Sequence, residues 1–427
     1  MASDGDSRTR VRTHPVFSIG LAACAALPAV LLRVSGIHPD PLLAAIVFGI
    51  GVVGAAFMLA WAAEVVQLDI SAGLALALLA LVAVLPEYAV DFVFTWKAGK
   101  NPHEYAPDAL ANMTGGNQLL IGLGWSMVVL IAAWRVKKMR DSGTPVTVPA
   151  DRVELGRSHS VEIAFLVLAS IYGLTLPLHS TLTLFDSALL VGLFVWYLIR
   201  VGRAPATEPH LVGPAAAIGA LPTRTRRSIV WSLFAGAVLT ILFAAEPFAE
   251  SLVEVGHKFS IDDFVLISLV APLASEAPEL LVAGMFAWRL NAETGLGALV
   301  SSKVNQWTLL VGSLPIVFAI SSASLHGLPI DAVQREELFV TAAQSVFGVA
   351  VLANRSITVR EAMTMLGLFL VQLVTKLPPF DPIHATARIT VGIVYLVLAA
   401  GILLRQRAAM PKLMRDGLRS SYVELAD

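Results

Sequence analysis

The chain has 427 residues, 56% of them hydrophobic and only 14% charged, with a formal net charge of −1 and a mean hydropathy of +0.75. A soluble globular domain carries roughly 25% charged residues, so water-soluble enzyme folds are excluded and a lipid bilayer is the expected solvent. Nucleic acid is excluded as a partner, because the basic residues are scattered through loops between apolar runs and build no patch.

The charged leader 1–15 is followed by no small-residue cleavage site, so 17–32 is read as a retained helix. The single cysteine, Cys24, lies inside it, can form no disulfide within the chain, and is expected to be a small buried core residue. Apolar runs near the roughly 20 residues that cross the hydrocarbon recur at 17–34, 42–66, 72–97, 106–134, 160–178, 181–200, 228–254, 261–288, 294–321, 335–353, 359–377 and 385–404. About twelve spans are therefore expected.

Three segments are basic: Arg135, Lys137, Lys138 and Arg140; Arg200, Arg203, Arg224, Arg226 and Arg227; and Arg405, Arg407, Lys412 and Arg415. Positive loops stay in the cytoplasm, and twelve spans put all three on one side. The expectation is a multi-pass protein of the cell membrane with both termini cytoplasmic. A Pro-, Ala- and Gly-rich linker at 201–227 divides the chain into a leader and extra first helix (1–41), two halves (42–200 and 228–377) and an extra last helix with its tail (378–427).

The two halves repeat each other. PEYAVDFVFTWK from Pro86 and PELLVAGMFAWR from Pro278 agree at an offset of 192, in Pro-Glu, Val90/Val282, Phe94/Phe286, Trp96/Trp288 and Lys97/Arg289. Downstream, Thr114, Asn117, Gln118 and Gly124 answer Ser302, Asn305, Gln306 and Gly312 at an offset of 188. The first Pro-Glu helix is the third span and the second is the eighth, so they cross in opposite directions. The fold class is thus an all-α polytopic membrane protein of about 12 transmembrane helices with two inverted five-helix repeats, an architecture that places ion sites near the midplane.

Glu87 and Glu279 each follow a proline midway through an apolar span, where a carboxylate is costly unless paired, protonated or ion-bound. Each proline also frees a backbone carbonyl that needs a partner. Two carboxylates meeting across a pseudo-twofold axis, with hydroxyl and amide oxygens around them, suit a hard cation such as Ca²⁺. Thr114 with Gln118, and Ser302 with Gln306, stand at i and i+4 on one helix face; they either complete that cage or glue helices together. Asn112, Asn117 and Asn305 lie close by. Asp91, one turn beyond Glu87, either relays protons or only accepts a hydrogen bond, since its repeat counterpart is Ala283. Glu246, Glu250 and Glu254 form a stripe that either attracts cations at an entrance or caps a solvated helix end. Trp96, Lys97, Trp288 and Arg289 read as interfacial anchors.

These two blocks resemble the alpha-repeats of the calcium:cation antiporter superfamily, which includes sodium/calcium exchangers. In that family each repeat carries Gly-Thr-Ser-Leu-Pro-Glu followed by a Gly-Asn-x-x-Gly-Ser-Asn helix. Here Leu85-Pro86-Glu87 and Pro278-Glu279 match the first element, while Leu110-Ala111-Asn112 with Gly115, and Gly297 with Ser301-Ser302, are degenerate forms of the second. The Ile70-Ser71 and Ser260-Ile261 steps look familial too. The resemblance implies Glu87 and Glu279 as central acidic ligands of the transported metal, with Ser302 and Gln306 at hydroxyl and amide positions. Thr114 and Gln118 follow by internal symmetry.

Departures bear on coupling. The family's Thr-Ser before Leu-Pro-Glu has become Ala83-Val84 in one repeat and Ser275-Glu276 in the other, and an Asn position has become Lys303. Hydroxyls that the family offers to sodium are missing in the first repeat. Lys303 is expected to pair with Glu276; if it instead snorkels to the boundary, Glu276 becomes a third site carboxylate. Glu276, Lys303, Asp91, Asn117 and Asn305 are the candidates for coupling. The expected function is a cation antiporter exchanging Ca²⁺ for H⁺ or Na⁺, with inorganic cations and lipid as partners, no resident cofactor and no enzymatic chemistry. The competing reading is a degenerate exchanger fold acting as a sensor or scaffold. A membrane enzyme is disfavoured by the lack of a His cluster or G-x-S-x-G.

Overall fold

A computed structural model describes residues 15–69, 85–204, 211, 213–259, 263–376 and 383–426. Most of the leader, the start of the third expected span with Ala83-Val84, and the Ile70-Ser71 and Ser260-Ile261 steps lie outside the described residues. The protein is all-α in its membrane part: α1 Pro15–Ser35, α2 Pro41–Val66, α3 Leu85–Lys100, α4 Pro102–Asp141, α5 Ser160–Gly173, α6 Leu184–Val201, α7 Thr223–Phe259, α8 Asp263–Trp288, α9 Ala292–Ser322, α10 Ala332–Val351, α11 Val359–Val374 and α12 His384–Arg405. Each of the twelve expected spans thus meets a described helix, the third from Leu85 onward. Among the described residues ten are long and apolar enough to cross a membrane; α3 and α11, at 16 residues each, are shorter.

Local chemistry sets several boundaries. Asp40 caps α2, its side chain accepting from Leu42 N–H, with proline at the first helical position. Reciprocal capping boxes start α6 (Thr183 with Asp186) and α11 (Thr358 with Glu361). These two caps reveal that the internal repeat runs further than the Pro-Glu blocks: at an offset of 175, Glu162, Ser170, Gly173, Thr183, Gly192 and Phe194 answer Glu337, Ser345, Gly348, Thr358, Gly367 and Phe369. Helices α5 and α6 are therefore the counterparts of α10 and α11.

Two small antiparallel ladders tie the loops. β1 (Arg152–Glu154) pairs with β4 (Ser356–Thr358), and β2 (Thr181–Leu182) pairs with β3 (Leu328–Pro329). The first ladder joins the α4–α5 loop to the α10–α11 loop, and the second joins the α5–α6 loop to the α9–α10 loop. Both pairings require an even number of crossings between the joined loops, as twelve alternating helices provide. The membrane faces are named after them, the β1/β4 face and the β2/β3 face.

Small residues let helices approach closely where no hydrophobic drive exists between them in lipid. A Cβ on Gly51 would lie 2.5 Å from Ala29 Cβ, and one on Gly54 would lie 2.7 Å from the Ala22 carbonyl oxygen, so α2 receives the Ala22, Ala26, Ala29 stripe of α1. Cys24 is on the other side of that helix and exposed, contrary to the buried position expected for it; the alanine stripe, not the thiol, faces the neighbour. The Glu246 and Glu250 carboxylates are engaged in ion pairs with Arg33 (2.7 Å) and Lys97 (2.6 Å). Trp288 stacks near Trp134 (ring centroids 5.2 Å) with Arg135 over its ring, as an interfacial anchor does.

Candidate ion-binding site

The rods α4 and α9 are each interrupted by a π-helical segment, Leu120–Trp125 and Gln306–Leu310. Such insertions widen a turn, re-aim side chains and recur at functional sites. Here the second begins at Gln306, whose Nε2 donates to Glu87 Oε2 (3.2 Å) and to Glu276 Oε1 (2.9 Å). One amide thus bridges a carboxylate from each half. Glu87 and Glu276 are 5% and 2% exposed, and Gly116 of α4 faces both: a Cβ there would sit 2.9 Å from Glu276 Oε1 and 3.2 Å from Glu87 Oε1. Beside it, a Cβ on Gly115 would fall 1.9 Å from the Ser268 carbonyl oxygen, so glycine is what lets α4 lie against α8.

Three oxygens of this cluster, Glu87 Oε1, Glu276 Oε2 and Gln306 Oε1, are buried without a hydrogen-bond partner. Buried carboxylates in such a state call for a cation or protons. Among the described residues no three His, Cys, Asp or Glu side chains converge as a metal nest; the donors are carboxylates mixed with amides and hydroxyls. Such a set suits an ion that must leave again.

Glu279 lies on the same helix as Glu276 but accepts from Ser302 Oγ (2.7 Å). Glu279 and Ser302 line a cavity of about 340 Å³ with Glu64, Glu162, Tyr197 and Asn305. Glu162 is near the start of α5 and the cavity also touches Val201, the last residue of α6, so it extends from the Glu279–Ser302 pair toward the β1/β4 face.

The other expected residues are placed differently. Lys303 is fully buried and donates to Asn117 Oδ1 (2.6 Å) and to the Asn117 carbonyl oxygen (3.1 Å), with its ammonium 4.7 Å from the Trp307 ring centroid. It therefore neither snorkels nor makes the expected contact with Glu276, because Asn117 and an aromatic face solvate it while Gln306 takes the carboxylate. Asn305 Oδ1 accepts from Tyr88 OH (3.1 Å), and Asp91 accepts from Asn112 (2.8 Å). Thr114 spends its hydroxyl on the Leu110 carbonyl (2.8 Å), as helical threonines do. Gln118 points to Glu337 (3.0 Å) and Thr341 (2.7 Å) instead of Glu87. The symmetric cage is thus not assembled: Glu87, Glu276 and Gln306 meet, Glu279 and Ser302 pair beside them, and Thr114 and Gln118 stand apart. Gly116, Glu64, Glu162 and Glu337 were missed by sequence reasoning; the 175-residue register was the available signal for the last two.

Two inverted halves, each contributing a proline-bearing acidic helix and a π-interrupted partner, define an inverted-repeat transporter fold. The profile of the family described as sodium/calcium exchanger protein matches residues 41–202 and 229–377, most of the chain, and the chain belongs to that family. A crystal structure described as the H⁺/Ca²⁺ exchanger CAX is similar, at 39% identity and TM-score 0.87, over 97% of this chain and 99% of that one. The structure of native YfkE shares the fold at 14% identity and TM-score 0.58, over 84% of this chain and 99% of that one. The putative antiporter CaxA of Alkalimonas amylolytica is 24% identical over 152 residues, 34% of this chain. That match spans about half of the relative's length, 46%.

Proposed function

We propose that the protein exchanges Ca²⁺ for protons across the cell membrane by alternating access, with both termini cytoplasmic. The observation that carries this reading is the bridging of Glu87 and Glu276, one from each half, by the Gln306 amide, with three buried oxygens left over. Ca²⁺ takes six to eight oxygen ligands at about 2.3–2.6 Å. Glu87, Glu276 and Gln306 supply the central ones, and Glu279 with Ser302 stands on the approach from the β1/β4 face. The Lys/Arg-rich segments lie on that face, which makes it the cytoplasmic one.

Protons are the favoured counter-ion. A proton needs one carboxylate, whereas Na⁺ needs several oxygens at once; Lys303 occupies Asn117 Oδ1 and Thr114 is bonded to its own helix. When Ca²⁺ leaves, two carboxylates on one amide repel each other and take up protons; when it returns, they release them. Binding of one excludes the other. The similarity to a structure described as an H⁺/Ca²⁺ exchanger supports the same pairing. The test is ⁴⁵Ca²⁺ uptake into proteoliposomes under a pH gradient alone, with uptake expected; uptake under neither a pH nor a sodium gradient would favour the sensor reading.

A further inference from the structure

The 175-residue register relates two vestibules. The cavity reaching Glu279 is walled by Phe194, Tyr197, Leu198 and Val201 of α6. Their counterparts, Phe369, Gln372 and Leu373 on α11 and Lys376 just past its end, line a second pocket with Gly115 and Gln118 toward the β2/β3 face. The first holds about 340 Å³ and the second about 10 Å³, the room of a single water. One vestibule is open and its mate is shut.

Of these four wall positions two differ, Tyr197 against Gln372 and Val201 against Lys376, and only the second introduces a charge. Lys376 Nζ lies 3.1 Å from Glu337 Oε2 and 3.3 Å from Gln118 Oε1, and Gln118 Nε2 donates to the same carboxylate. Glu337 is fully buried, and Arg388 of α12, outside the repeat, lies 3.9 Å from its other oxygen while bonding Glu336 at 2.8 Å. Its counterpart Glu162 has no lysine or arginine in ion-pair contact among the described residues, lies 3.8 Å from His159, and lines the open cavity. Gln118 is itself the counterpart of Gln306, which in the other half bridges the site carboxylates.

We propose that Lys376 is a tethered cation that keeps the β2/β3-face vestibule shut by occupying Glu337 and Gln118, and that a solution cation entering from that face must displace it. Lys376 thereby makes the two faces unequal: the β2/β3 face loads against a resident ammonium, the β1/β4 face does not. Lys376 acts as a positioning residue through Glu337 and Gln118. The inference deepens the antiport reading, and its test does not depend on transport. In a Cys24→Ser background, Gln372→Cys is placed in the shut vestibule and Tyr197→Cys in the open one, and labelling by a charged methanethiosulfonate is timed from each face.

Gln372→Cys is expected to label slowly with Lys376 present, at least about tenfold faster with Lys376→Val, and slowly again with Lys376→Arg, which restores the charge. Tyr197→Cys is expected to label from the β1/β4 face in every background. The Lys376→Val/Glu337→Gln double variant carries the same expectation with no charge left unpaired, so misfolding of the single variant does not decide the matter. In proteins that transport, Lys376→Val is expected to lower the half-saturating Ca²⁺ on the β2/β3 face alone. Labelling of Gln372→Cys that is unchanged in both Lys376 variants, or already fast with Lys376 present, overturns the proposal. Labelling that moves as expected in a protein without flux overturns the antiport reading and leaves the gate standing.

Discussion

Gly116→Ala separates the ion site from the fold. The added methyl would lie 2.9 Å from Glu276 Oε1, 3.2 Å from Glu87 Oε1 and 3.6 Å from Pro272 Cβ. Ordinary C···O separations are about 3.3–3.6 Å, so Glu276 must retreat by about 0.5 Å and Glu87 by a few tenths. The methyl meets the ends of side chains and no backbone, so overpacking costs the fold at most about 1 kcal/mol, the low end for such changes. Displacing the carboxylates matters more, because ligand distances to Ca²⁺ vary only over about 2.3–2.6 Å and a 1 Å misplacement of reacting groups costs about 100-fold. About a tenfold loss of Ca²⁺ affinity is expected, measured as the half-saturating concentration in ⁴⁵Ca²⁺ flux, with thermal stability in detergent nearly unchanged. Gly192→Ala and Gly367→Ala, where a Cβ meets nothing within 4 Å, are the controls and leave flux intact. Wild-type affinity in Gly116→Ala would refute the placement of the ion between Glu87 and Glu276.

Glu87→Gln and Glu279→Gln each keep side-chain volume and remove a charge; both are expected to abolish exchange while size-exclusion profiles stay monodisperse, and full transport in either would remove that residue from the site. Gln306→Leu removes the amide shared by two carboxylates and is expected to lower maximal flux at least about tenfold, with about 1–3 kcal/mol of stability lost through the buried polar groups left unpaired. Cysteines introduced at 144–150 are expected to react only from the cytoplasmic side of intact cells, and reaction from outside would reverse the assigned orientation. Outside the membrane, Asp69 is held below its ordinary value of 3.8 by its hydrogen bond to Arg226. Its contribution is therefore complete above that value and fades as pH falls through the lowered one, so the Tm deficit of Arg226→Met, present at pH 7, should shrink under strong acid; a deficit independent of pH would deny the clamp.

The membrane class and the positions of the described helices were legible because apolar length and loop charge survive any rearrangement of packing. The inverted repeat was legible at Glu87 and Glu279, where the identity of a residue, a carboxylate after a proline, carries the signal. What sequence symmetry could not supply was the conformational state. Symmetry of the blocks paired Gln118 with Gln306, yet one amide bridges the site and the other serves Glu337, the asymmetry that the proposed alternating access requires of two inverted halves. Lys303 misled for another reason: charge complementarity pointed to a direct pair with Glu276, but the ammonium is taken by the Asn117 side-chain oxygen and the Trp307 face. Gly116 was invisible because a glycine in a sequence does not say what stands opposite it.

The central claim is that one site takes Ca²⁺ or protons in exchange. Its most direct test is Ca²⁺-dependent proton movement in sodium-free proteoliposomes carrying an internal pH dye. On addition of external Ca²⁺ the wild-type lumen should turn alkaline, because each Ca²⁺ that enters drives protons out, with ⁴⁵Ca²⁺ uptake in fixed proportion and neither signal in Glu87→Gln; a lumen that turns acidic would contradict exchange. Ca²⁺ flux that requires sodium and leaves luminal pH unmoved would contradict proton coupling at this site.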